Sequence, residues 1–497
     1  MSDPRSRAEG ATAPARRPWH RGALVALAGA AAVGLAAAGA LHAPAVTVSG
    51  PSVATTPRAG DDGSLGTTEL ACPGAPFLGT PGVPDLPSEG RLVTATPPRA
   101  DLAALDVPVP PTGRLVTGVV GLRGTNRSDA ARSVDGTGRP AAVVGTGAAA
   151  VGPVAGTVTV VDRPRARGLL SSGCGAPSAD AWLIGGGDAP GRQERLLLTN
   201  LGANPSTVEV EALRTAGVDG ATSRTVTVPG RSRRGLFVDG AFGADAVPVL
   251  HVRASGGLVR ATLVESWRDG TRPAGAEAIA PTAAPATTQV IAAVPAGRRT
   301  VRIGNPGASD AVVRLRTADA RGEHPVAGGV VTVPAGSSAE EELPVATAPG
   351  SVVVRSDRPV VAAVATIPAG AGEASDLAWS VASDPVGRLG GTAVPAPVGG
   401  RRAIVVHASG SAARVRVTSV VGGRSVVRTV DVVADGTRIV GVPDGAGSTW
   451  VRPVTEGADV RAGLLAARGR GIAELRAAST VPSVRLRRGA VQVTPAG

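Results

Sequence analysis

The residues with the most distinctive chemistry in this sequence are its two cysteines, Cys72 and Cys174. Both lie in turn-rich stretches, residues 71–74 (ACPG) and 172–175 (SGCG). An even pair of cysteines in an exported chain most simply forms a disulfide, and the N-terminus described below predicts export. We therefore predict a Cys72–Cys174 disulfide, which would close a loop of about 100 residues and stabilise the fold by about 3–5 kcal/mol.

The other groups that do chemistry in proteins are not arranged as a reactive site. The five histidines are too far apart in sequence for a ligand pair, and the motifs His-Glu-x-x-His and Gly-x-Ser-x-Gly are absent. Residues 185–188 (GGGD) precede a strand pattern, so they predict a turn rather than a phosphate-binding loop. Residues 340–342 (EEE) form one run, whereas glycosidase chemistry needs two carboxylates across a cleft. We predict no catalytic, cofactor-binding or metal-binding residues and expect no enzyme.

Four tryptophans recur at wide intervals along the chain, Trp182, Trp267, Trp379 and Trp450. Because only 2% of the residues are aromatic, these are the largest side chains available to fill a core. We predict that they pack within or between modules. The alternative is that exposed Trp rings stack on sugars.

The composition favours short strands and many turns. Val and Ala dominate the 43% hydrophobic content, and 69 Gly and 42 Pro interrupt the chain every few residues. Val is suited to a pleated sheet, whereas frequent Gly and Pro shorten helices. We predict an all-β protein whose 497 residues make several domains.

The N-terminus predicts the cellular compartment. Residues 22–41 carry no charge and are long enough to cross a membrane as a helix. The basic tail before them, residues 1–21, would stay in the cytoplasm, which places the remaining chain outside. Residues 42–66, rich in Pro, Ser, Thr and Gly, predict a linker. We predict a single-pass membrane protein with an extracellular C-terminal region. The alternative is a signal peptide cleaved near residues 38–40 (AGA) and a secreted protein.

The net charge of +12 comes from Arg alone, because the sequence contains no Lys. The Arg residues are scattered and are not interleaved with aromatic residues, so nucleic acid is not a predicted partner. The excess fits either solvated strand faces or attraction to an anionic polymer of the cell wall.

Beyond about residue 180 the chain repeats one unit three times, starting near Asn200, Asn305 and His407. Eight residues after each start comes a strand of alternating apolar and polar residues, such as 313–316 (VRLR). Such alternation predicts one buried and one solvated face.

Two further landmarks follow in each unit. In the first two copies a strand ends in Val-Pro, with Val228 and Val333 each 28 residues after the starting Asn. The unit then closes with a predicted hairpin, at residues 252–259 and 354–361. These landmarks predict that the unit is a scaffold defined by backbone geometry.

The spacing of about 100 residues, with six or seven short strands per copy, is typical of a β-sandwich domain. We predict tandem immunoglobulin-like modules at residues 178–292, 293–392 and 393–497, after a degenerate module at 67–177 that the disulfide closes. Repeats of this length usually fold as separate beads. A β-propeller is the alternative architecture, although each copy offers few strands for two blades.

Several short stretches resemble a known family. Residues 71–74 (ACPG), 174–177 (CGAP), 181–183 (AWL) and 196–200 (LLLTN), with the apolar N-terminal segment, resemble the actinobacterial secreted or membrane-anchored proteins of domain-of-unknown-function family 5719. The repeat also resembles the Asn-Pro-Gly-type β modules of bacterial surface proteins. In the third copy, residues 407–409 (HAS) stand in place of that turn. The resemblance implies location and architecture and leaves the activity open.

Together these features predict a non-catalytic protein of the cell envelope, an extracellular scaffold or binding module without a cofactor. Its expected partners are an anionic cell-wall polymer or another envelope protein, and residues 22–41 would contact the membrane. The alternative is an extracellular enzyme that acts on cell-wall glycan or peptide.

Overall fold

A computed structural model describes most of the chain beyond residue 65. The described residues are 66–86, 88–120, 125–127, 134–135, 139–187, 189–215, 223–243, 249–369, 376–393, 400–469 and 474–486. The predicted tail, the predicted membrane segment and all but the last residue of the predicted linker lie outside them. Within these residues no helix is long and apolar enough to cross a membrane.

The all-β prediction is confirmed, and the strands fall into four successive sets. The first set has eight strands, with helix α1 (Arg99–Ala103) and a 3-10 helix (Ala148–Ala150) between them. Its strands are β1 (Thr67–Cys72), β2 (Glu89–Ala95), β3 (Gly113–Val119), β4 (Thr125–Arg127), β5 (Val134–Asp135), β6 (Ala141–Gly147), β7 (Val154–Arg163) and β8 (Ala166–Gly173).

The second set repeats this plan and contains the short helix α2 (Val238–Phe242). Its strands are β9 (Asp180–Ile184), β10 (Arg192–Asn200), β11 (Ser206–Thr215), β12 (Ser223–Val228), β13 (Ser232–Phe237), β14 (Val249–Ser255), β15 (Arg260–Asp269) and β16 (Arg272–Ile279).

In the third and fourth sets the described residues form strands and no helix. The third has β17 (Ala286–Val294), β18 (Gly297–Asn305), β19 (Ala311–Asp319), β20 (Gly322–Val333), β21 (Ser337–Ala346), β22 (Gly350–Ile367) and β23 (Ala378–Val381). The fourth has β24 (Gly390–Ala393), β25 (Arg401–Ser409), β26 (Ala413–Val421), β27 (Arg424–Val432), β28 (Gly436–Gly441), β29 (Ala446–Pro453), β30 (Asp459–Arg468) and β31 (Leu475–Thr480).

All four sets share one strand order. In each, a first sheet has the order first–sixth–third–fourth strand, and a second sheet has the order fifth–second–seventh–eighth. In the third set the long strand β22 supplies both the sixth and the seventh strand, because its first part pairs with β17 and β19 and its second part with β18 and β23. The degenerate first copy suspected from the sequence therefore has the same topology as the three clear copies.

The two sheets of a set enclose a shared apolar core. In the fourth set, for example, Val415 of the first sheet and Val406 of the second belong to one cluster of fully buried side chains. The Val side chains of the alternating strands face the core, as predicted, since Val208, Val313 and Val415 are all 0% exposed. Each set is therefore sandwich-like.

Two finer predictions differ from the structure. The immunoglobulin-like strand order is not confirmed, because the first and second strands of every set lie in different sheets. The predicted closing hairpins are wrong, since β14 and β15 belong to different sheets and residues 354–361 lie within the continuous strand β22. Alternating apolar residues cannot distinguish a hairpin from a strand pair that passes between two sheets.

The predicted boundaries at 292/293 and 392/393 fall inside β17 and β24. Each of these strands pairs within the following set. The offset arises because the repeat starts late in the second strand of a set, at Asn305 in β18 and His407 in β25, so most of β17 and β24 falls in the preceding module.

The four sets do not fold as separate beads. Residues 62–497 form one compact unit, in which buried clusters join the first set to the second through Leu170 and Leu197, and the first to the fourth through Leu169 and Leu475. The second and third sets also share a sheet, because β11 and β21 pair in parallel. The bead prediction failed because the second sheet of each set is apolar on the face turned away from its own core.

The eighth strands of the four sets, β8, β16, β23 and β31, lie at the centre of this packing. Each contacts the eighth strand of the set before it and of the set after it, and β31 closes the circle by contacting β8. We call these four the axial strands. Their arrangement gives the protein a single centre to which every set contributes.

The starting Asn of the repeat is a buried clamp. Asn305 is 0% exposed, and its Nδ2 donates to the carbonyl oxygens of Ser309 at 2.9 Å and Val333 at 3.0 Å, while its Oδ1 accepts from the Gly307 N–H at 2.9 Å. The equivalent Asn200 bonds the Val228 carbonyl at 3.2 Å. The 28-residue offset in the sequence is therefore a direct hydrogen bond, which supports the interpretation of the unit as scaffold.

We expect Asn305→Ala to lower the free energy of unfolding by about 3 kcal/mol, because it leaves several buried backbone groups without a partner. Chemical denaturation of the full chain measures this loss. Asn204→Ala is the matched control, since the Asn204 side chain is exposed. Equal denaturation midpoints for the two variants would contradict the clamp.

Candidate functional site

The two cysteines form the predicted disulfide, which links the end of β1 to the residue after β8. Backbone hydrogen bonds reinforce the link, because Ala71 and Gly175 exchange N–H and carbonyl groups at 2.8 and 3.2 Å. Cys72 is 1% exposed and Cys174 is 8% exposed. The disulfide therefore fixes the point at which the chain leaves the first axial strand.

Two buried carboxylates join the axial strands. Asp376, which precedes β23, accepts N–H groups from Leu169 of β8 at 3.2 Å, Ala276 of β16 at 3.3 Å and Arg476 of β31 at 2.7 Å. It also accepts the N–H of Leu377 at 2.8 Å. One carboxylate thus binds the backbone of all four sets.

Glu277 of β16 joins the axial strands in the same way. Its partners on β8 and β31 lie two residues after those of Asp376. Its carboxylate accepts N–H groups from Ser171 of β8 and Ala478 of β31, both at 3.3 Å, and from Ala278 at 2.9 Å. Burial raises the pKa of Glu277 well above its usual value, although the three N–H donors act against this rise. Sequence reasoning missed both acids because neither lies in a motif and their partners are distant in sequence.

A cavity of about 370 Å³ lies at the far end of the axial strands. Its lining contains residues at or just beyond the end of each of them, namely 173–176 at β8, 280–283 at β16, 382–384 at β23, and 479–480 and 482–485 at β31. The volume lies within the range of small-molecule sites. Since Asp384 and Ser483 are exposed, the cavity opens to solvent on their side.

Arg260 is the least exposed charged residue of this lining, because Asp384 and Arg485 are exposed whereas Arg260 is partly buried. The Nη2 of Arg260 lies 3.5 Å from the Gly173 carbonyl, and its Nε has no hydrogen-bond partner. Burial lowers the pKa of Arg260 to about 10. Arg260 is partly exposed and lines the cavity. A Cβ on Gly175 would lie 2.7 Å from the guanidinium carbon, so only glycine leaves room for it there.

A second cluster of charges lies between the second and third sets. Glu265 of β15 is 0% exposed and accepts hydrogen bonds from the Gly186 N–H at 2.9 Å, from Arg192 and from the Trp379 indole. Arg302 of β18, 1% exposed, donates to the Gly185 carbonyl at 2.7 Å. The glycine-rich stretch predicted as a turn thus lies between β9 and β10 and bonds one charged side chain of its own set, Glu265, and one of the third set, Arg302.

Glu194 adds a carboxyl to this cluster and is 1% exposed. Burial raises the pKa of Glu194 well above its usual value, and hydrogen bonding to Asp239 and the nearby Glu265 charge act in the same direction. Burial also raises the pKa of Asp239. Such a carboxyl pair is able to share a proton, a property seen at many active sites. Here Glu194 is buried, whereas Asp239 is partly exposed.

The remaining predicted groups are dispersed. The run 340–342 lies in β21 with its side chains partly exposed, and Glu340 pairs with Arg302. His251 stacks on Trp182 at 4.0 Å between ring centroids and pairs with Asp180 at 2.7 Å. Among the described residues no group of three or more His, Cys, Asp or Glu is placed to hold a metal ion.

The tryptophans pack as predicted in three of four cases. Trp182, Trp379 and Trp450 are 6%, 2% and 0% exposed. Trp379 and Trp450 lie at junctions between sets. Trp267 is partly exposed, and the Arg192 guanidinium lies 4.6 Å from its ring centroid. The buried rings are therefore not available to stack on sugars.

Comparison with known families settles the relationship. The sequence model of a family described as a family of unknown function, DUF5719, matches residues 129–443. The chain belongs to this family. The matched range covers the whole second and third sets of the DUF5719 protein and parts of the first and fourth. No curated protein and no solved structure matched the chain.

Proposed function

We propose that this DUF5719 protein is a non-catalytic component of the cell envelope, an extracellular scaffold or binding module. Residues 22–41 would hold it at the membrane, or a cleavage near residue 40 would release it. The expected partner is an anionic polymer of the cell wall or another envelope protein. The observation that supports a binding role is the cavity to which all four strand sets contribute.

The positions of the carboxyl groups favour binding over catalysis. General acid–base chemistry needs a carboxyl within reach of a substrate. The most strongly perturbed acids, Glu194, Glu277 and Asp376, are at most 1% exposed. Glu277 and Asp376 also accept N–H groups from neighbouring strands. Their raised pKa values therefore have a structural cause in burial, which is common for acids inside packed proteins.

Co-sedimentation with purified cell walls tests the proposal. We expect the full chain to pellet with walls that retain their anionic polymer and to stay in solution with walls from which that polymer has been stripped. Cells that lack the protein should show a weakened envelope. No wall binding together with an unchanged envelope would overturn the proposal.

An extracellular enzyme acting on cell-wall glycan or peptide is the second candidate. The Glu194–Asp239 pair favours it, because two adjacent carboxyls with raised pKa values are typical of general acids and bases. Incubation of wall fragments with the full chain distinguishes the two functions. Turnover that Glu194→Gln abolishes, in a variant that still folds, would replace the binding proposal with the enzyme.

A further inference from the structure

The axial cavity is open to solvent on one side and is lined by a partly buried cation, Arg260, that has no anionic partner among the described residues. Arg260 forms no ion pair with any carboxylate among the described residues, whereas Arg302 and Arg192 each pair with a Glu. Arg214 and Arg299 are also buried without an ion pair among these residues, but neither lines the cavity. Burying a guanidinium without a counter-charge is costly. A charge kept in this position therefore suggests a partner that comes from outside the chain.

The surroundings of Arg260 suit a small anion. Arg presents its N–H donors in a planar fork that matches carboxylate and phosphate oxygens. Thr68, Thr282 and Thr392 also line the cavity, but their hydroxyls donate to backbone carbonyls. Ser383 lies in the same lining, and its Oγ has no hydrogen-bond partner, so this hydroxyl adds a donor. The lining also contains Arg485, so its Arg residues outnumber its single acid, Asp384. A carboxylate or phosphate group is smaller than the cavity volume of about 370 Å³. The remaining space would hold the rest of a larger ligand molecule or water.

We propose that the axial cavity is a binding site for a small oxyanion, a carboxylate or phosphate group, which the Arg260 guanidinium holds through its unpaired N–H donors. The site lies where the chain leaves all four axial strands, so occupancy would contact every set at once. The ligand is therefore expected to stabilise the whole body of the protein and not one module.

The anion site extends the proposed binding role. It rests on that proposal only for which biological molecule carries the oxyanion. A terminal group of a wall polymer and a free metabolite present the same oxyanion chemistry. Binding of soluble phosphate without binding to walls would favour a free ligand. In that case the wall proposal fails and the cavity site stands.

Titration of the full chain with inorganic phosphate, and separately with acetate, tests the site by calorimetry and by thermal unfolding. We expect saturable binding of at least one of the two anions in the millimolar range and a rise in Tm. Arg260→Gln should weaken the affinity at least tenfold, and Arg260→Lys should weaken it less. Arg424→Gln is the matched control, because it removes the same charge from an exposed position on β27 and should leave the affinity unchanged.

A second variant separates binding from folding. Ser483→Trp places a large ring at the exposed side of the cavity while Arg260 remains, and it should also abolish binding. Three results would each overturn the proposal: no saturable binding of either anion to the wild type, an Arg260→Gln affinity within twofold of the wild type, or equal losses in Arg260→Gln and Arg424→Gln.

Discussion

Asp376→Ala is expected to lower the free energy of unfolding by about 4–6 kcal/mol at about pH 5. The Asp376 carboxyl is 0% exposed and accepts the N–H groups of Leu169, Ala276, Leu377 and Arg476. Its removal leaves four buried donors unpaired, and each such donor costs roughly 1–3 kcal/mol before the structure relaxes. Chemical denaturation of the full chain provides the measurement.

The size of this loss should depend on pH. Burial raises the pKa of Asp376 from its usual 3.8 to about 7, although the four N–H donors lower it. The folded chain therefore holds the proton more tightly than the unfolded chain. The stabilisation that protonated Asp376 contributes to the folded state is fully present below about pH 4 and is lost as the pH rises through 7. Between about pH 5 and pH 8 the wild type should lose about 2–3 kcal/mol that Asp376→Ala does not lose, so the difference between them narrows.

His407 contributes a pH dependence of opposite sign. Burial lowers the pKa of His407 to about 4, so this residue removes stability as the pH falls below its usual value of 6.5. Because His407 is present in both proteins, its contribution cancels in the comparison. Asp269→Ala serves as the control, since the Asp269 side chain is 72% exposed. A loss in Asp376→Ala that matches this control, or one that does not change with pH, would contradict the role of Asp376.

Loss of the disulfide is the second large effect. Cys72 and Cys174 are 102 residues apart, and a cross-link over a loop of this length stabilises by about 3–5 kcal/mol through the unfolded chain. We expect Cys72→Ser combined with Cys174→Ser to lower the free energy of unfolding by this amount. Reduction of the wild type with dithiothreitol should have the same effect.

The double variant is its own control for reduction, because the sequence contains no other cysteine. Dithiothreitol should leave its denaturation midpoint unchanged. Two results would show that the cross-link does not stabilise the fold. One is a wild-type denaturation midpoint that dithiothreitol does not change, and the other is a double variant as stable as the wild type. Since Cys174 and Arg260 both line the cavity, the variant should also bind anions more weakly there.

The sequence predicted the local features of this protein well. Alternating Val residues identified the inward faces of β11, β19 and β26, and Pro334 marked the end of β20. The paired cysteines predicted the cross-link. These features depend on neighbouring residues or on chemistry with few alternatives, which a single sequence is able to show.

Contacts between residues far apart in the sequence could not be predicted from local sequence patterns. Asp376 and Glu277 bond to strands as far as 207 residues away in sequence, and no local pattern distinguishes them from solvated acids. Arg260 is one of many scattered Arg residues, and only the converging axial strands place it beside a cavity. The bead prediction failed for the same reason, because contacts among the second sheets leave no periodic signal along the chain.

Differential scanning calorimetry of the full chain tests most directly whether the four sets form one body around the axial strands. The account predicts a single unfolding transition for the strand sets, with a calorimetric enthalpy close to the van't Hoff enthalpy. In Asp376→Ala the whole transition should move to lower temperature. Several separate transitions, of which Asp376→Ala moves only one, would show that the modules fold independently and would contradict the account.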